Sequence, residues 1–172
     1  MKNYYKKEYK IAIILLFAFF VIPSTVKTQN FLTETERLNF PVAGDRAPIR
    51  TLNVFATAYS SDPYQTDDTP CLPAMNFDLC EHYLVYGLED TIAANFLPLG
   101  TKVRFPELYG DKVFTVRDRM NSRYNVNRIG YYRIDFYKIE ADESGQVDKR
   151  ASKQEAIQFG FKRDIQMEVI GV

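Results

Sequence analysis

The chain has 172 residues, 46% of them hydrophobic, with 13 Phe, 12 Tyr, and 22 acidic against 22 basic side chains. That length holds one domain of ordinary size and a leader, and the aromatic content supplies enough apolar area to exclude wholesale disorder. Zero net charge gives no field to gather phosphates, so nucleic acid is excluded as the main partner and a neutral polymer suits the chain better. One His (His82) and two Cys (Cys71, Cys80) are too few for clustered metal ligands, and neither a metal nor any other cofactor is expected.

Met1 to Lys10 carries Lys2, Lys6, Lys7 and Lys10 against Glu8, and Ile11 to Pro23 reads IAIILLFAFFVIP without a charge. A basic segment followed by about a dozen apolar residues fits a signal peptide better than a span, which needs about 20 residues. The following STVKTQN has no Ala-x-Ala site, and extending the apolar run to Val26 makes a short tilted anchor. A cleaved leader, a retained membrane anchor and a buried core helix therefore stay open, and the first two place the body in the extracytoplasmic cell envelope. Residues 1–28 are read as signal peptide or anchor, 29–50, with Pro41, Gly44 and Pro48, as a linker, and 51–172 as the domain.

Export makes Cys71 and Cys80 readable as a disulfide closing a short loop. Two free thiols are the alternative, and the spacing rules out a Cys-x-x-Cys redox motif.

Five segments rich in β-branched and aromatic residues follow: Leu52 to Tyr59, Thr101 to Phe105, Lys112 to Val116, Tyr131 to Tyr137 and Asp164 to Ile170. Pro98, Gly100, Pro106, Gly110, Asn125, Asn127 and Gly130 separate them as turn residues, and Thr91 to Ala94 is a candidate sixth strand. One helix is signalled by Ser152 and Glu155 as a capping box, with Gly160 at its end. Short strands at this spacing, without a βαβ rhythm, indicate a mainly β small barrel or sandwich.

Two acids stand out. Period-2 alternation puts Phe114, Val116 and Asp118 on one face, so Asp118 is expected to end its strand on the apolar side. The same rule sets Asp135 with Arg133 and Tyr137, opposite Ile134 and Phe136, giving a carboxylate beside a cation and a phenol. Ion pairing with the adjacent arginines is the plain alternative for both. Asp67 and Asp68 in QTDDTP read as turn residues or as a further acid of the site, and His82 as a solvated loop residue.

The segments FATAYS (Phe55 to Ser60), IAANFLPLGTKVRFPE (Ile92 to Glu107), VFTVRDRMN (Val113 to Asn121), RIDFY (Arg133 to Tyr137) and EAIQFGFK (Glu155 to Lys162) occur in the order of the three-aspartate (3D) domain. Over about Leu52 to Val172 the chain resembles that family, which is similar to the catalytic core of membrane-bound lytic transglycosylase A and to the RlpA-like proteins. The resemblance implies a six-stranded double-psi β-barrel with one late helix, preceded by the hydrophobic leader helix. It also implies an enzyme acting on peptidoglycan glycan strands, cutting the β-1,4 bond between N-acetylmuramic acid and N-acetylglucosamine to leave a 1,6-anhydro end. Nothing in the sequence indicates an oligomer, and a monomer is expected.

By motif position, Asp135 corresponds to the general acid/base and Asp118 to a supporting aspartate, with Thr57, Tyr59, Arg133 and Tyr137 positioning the glycan. Because the sugar's own 6-hydroxyl attacks, one carboxyl of raised pKa suffices for both proton transfers. The chain departs from the pattern in three places. IAANFLPLGT carries Ala93 and Asn95 where many members have an aspartate, PAMN (Pro73 to Asn76) replaces an expected glycine, and NVNRIGYY lengthens the interval between the two acids. A non-catalytic glycan-binding or wall-loosening module on the same barrel is the second reading, and a structural envelope protein the third.

Overall fold

A computed structural model of the chain describes residues 40–66 and 68–172. The leader, most of the linker and Asp67 lie outside the described residues, and with them the expectations of a leader helix, of cleavage or anchoring, and of Asp67 as an acid.

The described residues form six strands: β1 (Arg50–Ser60), β2 (Thr91–Ala94), β3 (Lys102–Arg104), β4 (Val113–Asp118), β5 (Arg133–Lys138) and β6 (Lys162–Gly171). They close a barrel in the order β1-β5-β2-β4-β3-β6. The sheet is mixed, since β1 with β5 and β2 with β4 run parallel while the other neighbours are antiparallel. Closure leaves no unpaired edge. All six segments read from residue type are strands, and the sandwich alternative falls away.

The interior follows the alternation of the strands. Val54 and Ala56 of β1, Ile92 and Ala94 of β2, Phe114 and Val116 of β4, Ile134 and Phe136 of β5, and Met167 of β6 point into one buried cluster. Phe136 is its hub, meeting Phe105, Tyr109, Phe114 and Phe159 with ring centroids 4.8 to 5.2 Å apart. Before the barrel begins, the chain already lies on it. Val42 bridges Lys112, Phe40 packs 5.2 Å from Phe114, and Ile49 N–H donates to Val169 O.

Among the described residues four helices are present, α1 (Leu79–Tyr86), α2 (Pro106–Tyr109), α3 (Val126–Ile129) and α4 (Lys149–Phe159), with a 3-10 turn at Ser122–Tyr124. Only α4 was expected, and its cap differs. Asp148 is the N-cap, accepting from Arg150 N and Ala151 N. Ser152 sits buried in the first turn, where its hydroxyl donates to Asp148 O and accepts from Glu140 N. The capping box is therefore not used, because a better-placed acid lies four residues upstream. α1 escaped notice because LCEHYLVY has no apolar stripe. It is held at its ends instead, by Asp78 accepting from Glu81 N and by Gly87 in the left-handed conformation.

Cys71 and Cys80 form a disulfide with Cα atoms 5.4 Å apart, which points to an oxidising compartment. The disulfide ties the loop after β1 to the start of α1. Beneath it lies a second cluster outside the barrel, with Tyr59, Leu79, Ala93, Tyr137 and Ile139 buried against Phe77 and Met120. Among the described residues no helix is long and apolar enough to cross a membrane.

Reducing the disulfide, or replacing both cysteines by serine, should lower stability by about 2 kcal/mol, because the unfolded chain regains the entropy of the open loop. Thermal unfolding with and without reductant measures it, and an unchanged midpoint would contradict this role.

Candidate functional site

The two acids meet through a third residue. Ala93 in β2 pairs with Asp135 across the antiparallel β5 ladder and with Asp118 across the parallel β4 ladder. Directly paired residues share a face of the sheet. Two strand spacings of roughly 4.8 Å each put the aspartate Cα atoms about 10 Å apart on that face.

Asp118 reaches it through a bulge. Ile92 pairs with Val116, but Ala93 pairs with Asp118, so Arg117 is an additional residue in β4. Uninterrupted alternation would have turned Asp118 into the core with Phe114 and Val116, as read from the sequence. The inserted residue corrects that reading, because it shifts the alternation by one and brings Asp118 to the outside of the barrel.

Arg117 is held in the bulge by several contacts. Its Nη1 and Nη2 donate to the two carboxylate oxygens of Asp90 at 2.7 and 2.9 Å, and Nη1 also donates to Thr91 Oγ1 at 2.7 Å. Asp90 in turn meets His82 Nε2 at 3.0 Å. His82 is thus not a solvated loop residue but a largely buried side chain on α1, flanked by the rings of Phe77 and Tyr86.

Around Asp118 the donors converge. Its Oδ2 accepts from the Tyr59 hydroxyl at 2.8 Å, and its Oδ1 accepts from Arg119 N at 2.7 Å and from Ala74 N at 3.1 Å. Burial and the neighbouring Asp118 charge push the Tyr59 phenol well above its ordinary pKa, so it stays a donor. Ala74 belongs to the loop stapled by the disulfide, which therefore reaches the acid directly.

Asp135 has a different environment. Thr57, its partner in β1, donates its hydroxyl to Asp135 Oδ1, and Arg133 Nη2 donates to Thr57 Oγ1 at 2.8 Å. Arg133 Nε lies 3.6 Å from the carboxylate. Burial raises the Asp135 pKa and the nearby Asp118 charge adds to it, while Arg133 opposes them. The balance lies at about 6, against 3.8 for an ordinary aspartate.

Both acids open onto one cleft of about 760 Å³, whose walls include Tyr59, Tyr64, Gln65, Pro73, Met120, Asn121, Arg123 and Tyr124. Its size suits a small-molecule or oligomer subsite. One wall is the disulfide-stapled loop. The other is the segment after β4 with its 3-10 turn; the NVNRIGYY stretch that lengthens the interval between the acids follows it and forms α3, outside the cleft lining. Asn95 secures that wall, accepting from Met120 N at 2.8 Å and donating to Asn125 Oδ1 at 2.7 Å.

Of the residues expected at the site, Asp118, Asp135 and Tyr59 line the cleft, while Thr57 and Arg133 stand behind Asp135. Tyr137 does not face it. At 2% exposure its hydroxyl lies against Ser61 and the Cys80 sulfur, because β5 passes there under α1. Asp68 is exposed and outside the cleft lining. Tyr64, 93% exposed, and Tyr124 were not singled out, since nothing in a loop sequence marks an aromatic as facing a site. No group of three or more His, Cys, Asp or Glu side chains converges as metal ligands among the described residues. Comparison with family models, curated proteins and solved structures finds no match.

A folded-state pKa above the unfolded one contributes stability that is complete below the ordinary carboxylate range and lost as pH rises through 6. Asp135→Asn, which does not titrate, should therefore gain on the parent protein between pH 4 and pH 8, by up to about 3 kcal/mol. Thermal or urea unfolding of both proteins at the two pH values tests this. A constant difference would contradict a desolvated Asp135.

Proposed function

We propose that the chain is an exported member of the three-aspartate domain family with a double-psi barrel. Its cleft is the active site of a peptidoglycan-cleaving enzyme of the lytic transglycosylase type. The observation that carries the reading is the pair of carboxylates flanking Ala93 on one cleft, with burial raising Asp135 to about 6.

That division of labour matches what the chemistry requires. Asp135, protonated, donates its proton to the glycosidic oxygen as the bond to the anomeric carbon of the muramic acid breaks. The 6-hydroxyl of the same sugar then bonds to that carbon and returns its proton to Asp135, closing the 1,6-anhydro ring. The negative charge of Asp118 faces the developing oxocarbenium ion across the cleft. Arg133 and Thr57 orient the Asp135 carboxyl, and Tyr59 orients Asp118.

A second reading, a non-catalytic glycan-binding module on the same barrel, is favoured by one observation. Ala93 occupies the place between the two acids where a further carboxylate would sit, and Asn95 is spent on securing the cleft wall.

Incubation with purified sacculi separates the two readings. The enzyme releases 1,6-anhydro muropeptides detectable by mass spectrometry, Asp135→Asn abolishes release while remaining folded, and the rate falls as pH rises above about 6, where the acid loses its proton. Sedimentation with sacculi without any release at any pH would establish the binding module instead.

A further inference from the structure

A run of rings and guanidinium groups leaves the cleft at Tyr124 and continues around the barrel. Arg133 lies with its guanidinium 4.2 Å over the Tyr124 ring, which lines the cleft. Next to Arg133 on the same outer face stands its β1 partner Phe55. The Phe55 ring packs 4.2 Å from Tyr131 and stacks at 5.6 Å on Phe161. Arg163 closes the run with its guanidinium 5.5 Å over Phe161, which is 48% exposed.

The strand geometry sustains this path. Val54 pairs with Ile165 and Ala56 with Lys162, so Arg163 and Asp164 together oppose the single residue Phe55, and Asp164 takes a left-handed conformation with φ 54°. Counted back from Ile165, which points into the core, regular alternation would turn Arg163 and Phe161 inward together; this second bulge shifts the alternation by one and sets both on the outer face beside Phe55.

We propose that this strip is an extended subsite that holds the glycan strand beyond the bond being cut, its rings stacking on sugar faces and the exposed Arg163 guanidinium pairing with a stem-peptide carboxylate. The inference rests on the peptidoglycan reading of the cleft and names how the polymer is gripped. Three features support a polymer here. The strip is continuous with the cleft, its rings are held in place by mutual stacking and so lose little freedom on binding, and its exposed cation Arg163 complements an anionic, planar acceptor. A short oligosaccharide filling the cleft alone would not touch Phe161 or Arg163.

Phe161→Ala and Arg163→Glu, singly and together, test the proposal. Arg163 is exposed, so its variant keeps the fold even where loss of the Phe161 ring weakens the β1–β6 seam. Each variant should bind purified sacculi roughly fivefold more weakly in sedimentation, with turnover of a short soluble muropeptide unchanged. Unaltered sedimentation of both folded variants would overturn the subsite. So would a loss confined to vesicles of anionic lipid, which would make the strip a membrane contact. If the parent protein cleaves nothing but both variants still lose sacculus binding, the enzymatic reading fails while the subsite stands.

Discussion

One inserted residue in β4 governs the site. Arg117 occupies a bulge that its bidentate bond to Asp90 and its bond to Thr91 hold in place, and the bulge decides which side of the barrel Asp118 faces. Without it the carboxylate would enter an interior packed with Phe114, Val116 and Phe136, where an isolated charge is prohibitive. With it, Asp118 joins Ala93 and Asp135 outside. The ion pair is not an independent ornament, because α1 contributes His82 to it and is itself tied by the disulfide to the loop whose Ala74 N–H reaches Asp118.

The same outer face serves two physical purposes. Toward α1 it is a dry secondary core, in which Tyr59, Tyr137, Leu79 and Ile139 are buried. Toward the segment after β4 it opens into the cleft. Asp135 sits at the boundary, buried enough that desolvation dominates its ionisation but reachable from the cleft. Asp118, with three donors, has the solvation that Asp135 lacks. Two carboxylates on one face thus stand in different surroundings, Asp118 held by three hydrogen-bond donors and Asp135 raised by burial.

The barrel strands were legible because residue type and turn chemistry agreed at each one: aromatic and β-branched runs bounded by Pro, Gly and Asn. The orientation of Asp135 with Arg133 was legible from alternation, since β5 is regular. Asp118 was misplaced by the same rule because a bulge leaves no mark in residue type. Ser152 misled as a cap because the helix starts four residues earlier, at Asp148, and leaves Ser152 inside its first turn, and His82 looked solvated because its partners, Asp90 and Arg117, come from other elements. The cleft walls were the least legible part. Tyr64, Ala74, Asn95 and Tyr124 act through backbone groups, side-chain amides and ring positions that only the closed barrel brings together.

The central claim is that Asp135 and Asp118 share a site in which the first is held protonated toward neutrality and the second contributes to that shift. Its most direct test is a carboxyl carbon-13 NMR titration of Asp135 in the parent protein and in Asp118→Asn. The account requires a midpoint near 6 in the parent and a lower one once the Asp118 charge is removed. A midpoint in the ordinary aspartate range, indifferent to Asp118, would contradict it.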